Sequence, residues 1–386
     1  MIDIKRAEDC SGCAACVQNC ASQCITFQAD TEGFYYPEVD AERCIGCGLC
    51  ENACPVIQHK EYHPVVASFA AASMDDELRF GSSSGAVFGT LCTNIFEKKG
   101  LVCGVRMRDD CRDVVFDFAE DMQQLEPILG SKYMQSYPIG VFNQIEKILQ
   151  GGRLVLFSGT PCQVNGLKLF LGREYENLLS VDIICHGVPS PVLWRKYVDY
   201  FETSNMGSLL HVNFRAKPNG WNDYGLEMKT ETGSAVFTPH ANDPFFRLFL
   251  KNVCLRPSCY ECKSKIFRLS DLTIGDFWGI DQVLPGFNDD KGTSAVIIRS
   301  EKGMRYFETV KDRMNTMRVR YDEITAKNPS EYSSVSRPKE RKTFFNDLYR
   351  YDFDALLKKN LVPARKGSLM TKGKRMIKRI LYSGRG

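Results

Sequence analysis

RLVLFSGTPCQVNGLKLFL (153–171) and LLSVDIICHGVPSPVLWRKYVDYF (178–201) follow one plan. Each opens with a short apolar run (153–158, 178–185), breaks at a turn holding Gly and Pro, and continues as a stretch with helical apolar spacing. Strand, turn and helix twice over imply parallel strands joined by crossover helices. Further strands are predicted at 211–216, 273–277 and 294–300. LVCGVRM (101–107) and DVVFDFA (113–119), joined by a polar segment, read as a β-hairpin. Val87, Phe88, Leu91, Ile95 and Phe96 recur at helical spacing, with Gly100 as the stop. The region 302–360 reads as mostly helical.

Seventeen cysteines are the second signal; nine of them lie in the first 54 residues, and eight of those nine form two runs. Cys10, Cys13, Cys16 and Cys20 form C-x2-C-x2-C-x3-C. Cys44, Cys47, Cys50 and Cys54 repeat it, with Pro55 after the last. This spacing holds two [4Fe–4S] clusters in bacterial ferredoxins, where the fourth ligand of each cluster comes from the other run. By that rule Cys10, Cys13, Cys16 and Cys54 form one site, and Cys44, Cys47, Cys50 and Cys20 the other. Structural zinc also uses paired C-x2-C elements, but four cysteines this close, twice, with the proline, speak for clusters. The chain is therefore expected to move electrons one at a time.

Composition fits a reducing compartment. The chain has 386 residues, 44% apolar and 25% charged, enough for two or three domains. No run approaches the ~18 apolar residues of a membrane helix, and MIDIKRAEDC has no apolar core of a secretory signal. A cytoplasmic chain with thiolates kept for metal is expected. Net charge is +3, yet residues 363–386 carry eight Lys/Arg and no Asp/Glu, leaving 42 basic against 47 acidic groups elsewhere. No nucleic-acid surface is indicated. Met376, Ile377, Ile380 and Leu381 would share one side of a short basic helix in that tail, so peripheral contact with an anionic membrane competes there with a solvated tail.

Cys162 and Cys185 each fall in the turn after a strand. In a parallel sheet such turns share the ligand-binding edge. Cys259 and Cys262 form a further C-x2-C, with Cys254 nearby. Two strand-end thiols plus this pair make four ligands for a third cluster; buried thiols acting as small apolar groups are the alternative. Cys24, Cys92, Cys103 and Cys111 have no partner pattern and read as structural. GSSSG (81–85) opens a helix, so its N–H groups can face an anion, although a plain serine-capped turn looks the same.

GTPCQVNGL, DIICHGVPS, LRPSCYECK and SDLTIGDFWG, with GSSSGAVF and GSKYMQS, resemble the family of coenzyme F420 hydrogenase/dehydrogenase beta subunits, in the form with an N-terminal two-cluster ferredoxin domain. The resemblance runs from residue 1 to about residue 300. It implies FAD as cofactor and electron transfer between [4Fe–4S] clusters and a two-electron substrate, the deazaflavin coenzyme in archaeal members and a chlorophyll derivative in a plant relative. It implies that Cys162, Cys185, Cys259 and Cys262 ligate a cluster, and it marks Gly81, Ser82, Ser83, Ser84, Gly85 and Lys132 as flavin-side residues. CHGVPS departs from the archaeal strand-end sequence, so cofactors transfer better than substrate. Asp276 is a further cofactor-side candidate, flanked by glycines that permit close approach. His186 follows a proposed ligand directly; it is a candidate proton donor to substrate or donor to cluster sulfur, with local packing as the alternative.

The expected architecture is mixed α/β (α+β overall): a two-cluster ferredoxin-like domain (1–62), a flavoprotein domain in two parts (63–145 and 146–310), a helical extension (311–362) and a basic tail (363–386). Ferredoxin or another redox protein and a small-molecule substrate are the expected partners. The alternative is an electron-input subunit of a larger hydrogenase, dehydrogenase or membrane complex.

Overall fold

Alternating apolar runs and polar turns generate thirteen strands in the computed structural model, which describes residues 1–361. They are β1 (Ile25–Ala29), β2 (Tyr35–Val39), β3 (Ala67–Ser73), β4 (Leu101–Met107), β5 (Val114–Ala119), β6 (Val155–Gly159), β7 (Leu178–Ile183), β8 (Leu209–Ala216), β9 (Gly225–Thr230), β10 (Ala235–Pro239), β11 (Leu272–Asp276), β12 (Ser294–Ile298) and β13 (Met314–Val319). Eight form one mixed sheet in the order β13-β3-β12-β11-β7-β6-β4-β5. The centre is parallel: β4 with β6, β6 with β7, and β7 with β11. Antiparallel strands close both sides, β5 at one end and β12, β3 and β13 at the other. The fold is α/β, as the strand–turn–helix repeats imply.

Burial on both faces explains the near-continuous apolar composition of the central strands. On one face Leu156, Leu179, Val181, Leu272 and Val296 pack against Val87, Leu91, Cys92 and Ile95 of the helix Val87–Glu97. On the other, Val155, Phe157 and Leu178 meet the helices Val141–Gln150 and Pro161–Leu171. Cys13, Ala15 and Ala53 belong to that second core, so the cysteine-rich module is built into the large domain. β8, β9 and β10 form a separate antiparallel sheet.

The 302–360 stretch departs from its helical reading. Its helices Glu301–Glu308, Tyr321–Thr325, Arg341–Arg350 and Phe353–Asn360 flank a strand, β13, at the sheet edge. MNTMRV buries Met314 and Val319 and pairs along β3 from Met314↔Ser73 to Val319↔Ser68. The helical bias of its surroundings yields there to a free sheet edge. The basic tail and its membrane reading lie outside the described residues. Among the described residues no helix is long and apolar enough to cross a membrane.

The two cysteine runs share one backbone path. Gly12 and Gly46 have φ of +71° and +68°, and Ala14 and Gly48 have +61° and +73°. Ala14 and Gly48 then start the short helices Ala15–Gln18 and Leu49–Asn52. Ala14 adopts a left-handed conformation that costs a residue with a Cβ roughly 1 kcal/mol or more. That conformation curls three thiols toward one side of the loop.

Candidate iron–sulfur relay and anion-binding loop

A cavity of about 300 Å³ is lined by Cys10, Cys13, Cys16 and Cys54, with Ile2, Ile4, Phe27, Pro37 and Val56 as apolar walls. A second, of about 310 Å³, is lined by Cys20, Cys44, Cys47 and Cys50. The last cysteine of each run therefore faces the other run's cavity. Among the described residues no three His, Cys, Asp or Glu side chains converge on a point where a single ion would sit. Thiols that ring a space suit a cubane better than one tetrahedral zinc. Burial pushes Cys16 and Cys54 up from the usual thiol range, and like charges add to it. Cys47 is exposed, so the second cavity is the outer one.

Cys24, read from sequence as an isolated structural thiol, also lines the second cavity. Its Sγ is 3.4 Å from that of Cys20, and its N–H donates to Cys20 Sγ at 3.4 Å. Cys92, Cys103 and Cys111 are buried among apolar side chains.

The parallel pairing of β6 and β7 carries Cys162 and Cys185 to one sheet edge. Cys162 lies at the start of the helix Pro161–Leu171, whose first turn is fixed by a Thr160–Gln163 capping box. Cys185 follows β7. The turn Pro257–Glu261 brings in Cys259 and Cys262. These four thiols act on one another. Burial first, then the charges of Cys262 and Cys185, push Cys162 up to about 12. Burial and the charges of Cys185, Cys262 and Cys162 push Cys259 up as well. A Cβ on Gly187 would stand 3.3 Å from Cys259 Cβ, which shows how closely the Cys185 turn approaches. Cys254 is fully buried beside Arg341, away from the other four.

The inner N-terminal site adjoins this set. Cys13 feels the charge of Cys162, and a Cβ on Gly166, one helical turn beyond Cys162, would lie 3.1 Å from Cys13 Sγ. His186 is held on both sides: its Nε2 is 2.6 Å from Asn252 Oδ1 and its Nδ1 is 3.4 Å from Ser330 Oγ. Burial holds the imidazole below its ordinary pKa. With Nε2–H donating to Asn252, both ring nitrogens are engaged, the arrangement of an anchor for the Cys185 turn.

The 81–85 loop is fastened to the sheet. Ser84 Oγ donates to Thr293 O at 2.7 Å, and Gly85 N–H donates to Ser294 Oγ at 2.9 Å. Ser82 is buried, and a Cβ on Gly81 would meet open space. Ser83 joins this loop to 130–136: its Oγ accepts from Ser131 N–H at 2.7 Å and lies 2.9 Å from Ser131 Oγ. Lys132 does not reach toward the serines. Its Nζ donates to the carbonyls of Ile128, Leu129 and Gly130, and burial brings it down to about 7. Asp276 is engaged too, paired at both oxygens with Arg215 at 2.7 and 2.9 Å and accepting from Trp221 Nε1.

Arg215 and Lys217, in the basic and aromatic stretch FRAK (214–217) with Gly220 and Trp221, read from sequence as able to meet an anionic substrate or as an ordinary surface hairpin; their place at these serines and the part of Arg79 do not show there. Arg215 Nη2 donates to Ser83 O, and Lys217 Nζ donates to Arg79 O and Lys291 O. Arg79 pairs with Asp289. Among the described residues, Arg79 Nε, Arg215 Nε and Thr293 Oγ1 are buried without a hydrogen-bond partner. Three cations against Asp276 and Asp289, with spare donors, fit an anionic group such as a flavin's phosphates. FRAK lies about 130 residues away in sequence from the serines.

Residues 152–321 match the family model for the C terminus of the coenzyme F420 hydrogenase/dehydrogenase beta subunit. Residues 9–57 and 40–96 each match a 4Fe-4S dicluster domain. The chain is 23% identical over 326 residues to an F(420)H(2) dehydrogenase subunit of Methanosarcina mazei, covering 80% of this chain and 84% of the relative. It is 22% identical over 340 residues to an uncharacterized protein of Methanocaldococcus jannaschii, covering 78% and 86%. Its N-terminal part is 36% identical over 44 residues to ferredoxin-type protein NapF of Escherichia coli K12, covering 11% and 27%. A solved chain of the F420-reducing [NiFe] hydrogenase complex from Methanosarcina barkeri aligns over 78% of this chain and 92% of its own length, at 16% identity and a TM-score of 0.46. The chain thus joins a region that matches a 4Fe-4S dicluster domain to one that matches the C-terminal domain of coenzyme F420 hydrogenase/dehydrogenase beta subunits.

Proposed function

We propose that the chain is an iron–sulfur flavoprotein oxidoreductase with three [4Fe–4S] clusters and FAD. Cys20, Cys44, Cys47 and Cys50 hold the outer cluster; Cys10, Cys13, Cys16 and Cys54 hold the inner one. Cys162, Cys185, Cys259 and Cys262 hold the third, and the 81–85 loop takes the FAD phosphates. The clusters hand over single electrons, and a flavin, when bound, exchanges one electron for two. The observation that supports this reading is the approach of Cys13 to the helix that starts at Cys162, where a Cβ on Gly166 would lie 3.1 Å from Cys13 Sγ. Ser83 and Ser131 supply hydroxyls to the anion, Arg79, Arg215 and Lys217 its counter-charge, and His186 steadies the Cys185 turn. A small two-electron substrate follows from the flavin.

A second reading, an electron-input subunit of a larger dehydrogenase complex, is favoured by one observation. The match to the F(420)H(2) dehydrogenase component of Methanosarcina mazei spans 84% of that protein. Anaerobic size analysis with turnover separates the two: a free monomer that oxidises or reduces candidate substrates, the deazaflavin coenzyme among them, supports the first reading. Activity only with added subunits supports the second.

The flavin assignment has its own test. Anaerobically purified chain is expected to release FAD on denaturation. Ser83→Asp should lower FAD content roughly tenfold or more, since a carboxylate at the phosphate site opposes it by at least about 1.4 kcal/mol, while iron stays at the parent level. Full flavin in that variant removes the loop from the site. For the tail, full-length chain is expected to co-sediment with anionic vesicles at low salt, and a version ending at Val362 to stay in solution. Equal behaviour ends the membrane reading.

A further inference from the structure

Arg256 is fully buried, and among the described residues no carboxylate lies within ion-pairing distance of it. Its guanidinium is instead spread over neutral partners. Nε donates to Cys10 O at 2.8 Å, Nη2 to Tyr35 O at 2.9 Å and Nη1 to Gln135 Oε1 at 3.2 Å. The group lies 4.3 Å from the Tyr36 ring centroid and 5.5 Å from that of Phe34. A guanidinium does not lose its proton in a protein interior. A buried positive charge therefore needs negative charge close by.

The groups that face Arg256 identify the source. They are the thiols of Cys10 and Cys259 and the phenols of Tyr36 and Tyr137. Burial holds both phenols neutral. The cysteines belong to two different ligand sets. The backbone makes the same connection: Arg256 O accepts the Cys259 N–H at 2.9 Å, and the guanidinium lies against Gly12, where a Cβ would come 2.9 Å from Nη1. The N-terminal module's own cations are engaged elsewhere or lie at its ends. Of its Lys and Arg residues, Lys5, Arg6, Arg43 and Lys60, Lys5 pairs with Asp3, Arg6 pairs with Asp9 and Glu261, and Arg43 donates to Ser22 O beside the outer cavity.

We propose that Arg256 is a positioning residue shared by the inner N-terminal cluster and the third cluster, whose anionic thiolates it neutralises jointly. The proposal rests on the cluster assignment made above. Each one-electron reduction adds a negative charge beside the guanidinium, so Arg256 raises the potential of both clusters relative to the outer one. Electrons arriving at the outer cluster then move inward toward the higher potential, which is downhill in free energy. The same side chain pins the Cys10 loop to the Cys259 turn and so fixes the separation across which the electron passes.

The test is an EPR-monitored redox titration of the full chain, cluster-loaded and anaerobic, as parent, Arg256→Gln and Arg256→Lys. In Arg256→Gln the inner and third clusters should both shift to lower potential. Their equilibrium constants for accepting an electron from the outer cluster should drop roughly tenfold or more, the effect of a unit charge at an effective dielectric near 20. The outer cluster should not move, and Arg256→Lys should stay near the parent. Unmoved potentials in Arg256→Gln overturn the proposal, as does an equal shift of the outer cluster. If Arg256→Gln fails to fold, Arg256→Lys decides: parent-like potentials support a role for the charge, and a tenfold drop overturns it. Should the parent hold iron for two clusters only, the third-cluster assignment has failed. A shift of the inner cluster alone then upholds the charge role of Arg256, and no shift removes it.

Discussion

Cys54→Ala is expected to abolish the four-iron cluster at Cys10, Cys13 and Cys16, and to spare the one at Cys44, Cys47 and Cys50. Cys54 stands only four residues after Cys50. The cavity it lines is nevertheless that of the first run. Iron should fall from about twelve per chain toward about eight, as three cubanes less one require. The remaining spectrum should keep the outer cluster's signal. Cys20→Ala should do the opposite, sparing the inner cluster. Cys162, Cys185, Cys259 and Cys262 changed singly to Ala should each also lower iron toward about eight, with both N-terminal signals kept. Cys254→Ala and Cys92→Ala should leave iron at the parent value. Iron and sulfide analysis with low-temperature EPR reads all of these. Loss of the Cys44 cluster in Cys54→Ala would show that each run keeps its own four ligands. Parent-level iron in Cys162→Ala would remove the third site.

What was legible in the sequence follows the range of the interactions involved. The dicluster domain is encoded by spacing within a dozen residues, and the swapped fourth cysteine follows from that spacing. β6 and β7 were legible because strand, turn and helix recur, and their parallel pairing accounts for Cys162 and Cys185 sharing an edge. β13 was missed because MNTMRV has no strict alternation and gains its order from pairing with β3, some 240 residues earlier. The anion loop was half legible. Glycines and serines show in sequence, and Arg79 stands two residues before them, whereas Arg215 and Lys217 arrive from about 130 residues away, and Lys132 turned out to cap its own chain. Arg256 sat in plain view between Cys254 and Cys259. Its lack of an acidic partner is a fact of packing alone.

Glu331→Gln is expected to destabilise the folded chain by about 3–5 kcal/mol, the cost of leaving buried charge uncompensated. Glu331, Arg268 and Asp182 are fully buried, and Arg299 nearly so. Arg268 donates to Asp182 Oδ2 at 2.9 Å and to Glu331 Oε2 at 3.1 Å. Arg299 donates to Glu331 Oε1, to Thr273 Oγ1 at 2.6 Å and to Pro64 O at 2.9 Å. His63 Nε2 stands 3.0 Å from Glu331 Oε1. This network ties the link after the dicluster domain to β7, β11 and the segment that follows Cys262. Glutamine keeps the shape and removes the charge, which leaves Arg299 without a carboxylate and Arg268 with Asp182 alone. Burial alone would push the Glu331 carboxyl up, but His63, Arg268 and Arg299 outweigh it and hold it at about 2. Its folded value is thus depressed below an unfolded value of about 4.3. The stability it contributes is full above pH ~4.3 and is lost as pH falls toward ~2. Denaturant melts at pH 7 should show the loss in Glu331→Gln. Between pH ~5 and ~2.5 the parent should lose stability more steeply than the variant, which lacks this titration. A cost below about 1 kcal/mol at pH 7, or parallel acid slopes, would mean that water or a backbone shift compensates the two arginines and that the network does not hold the domains together.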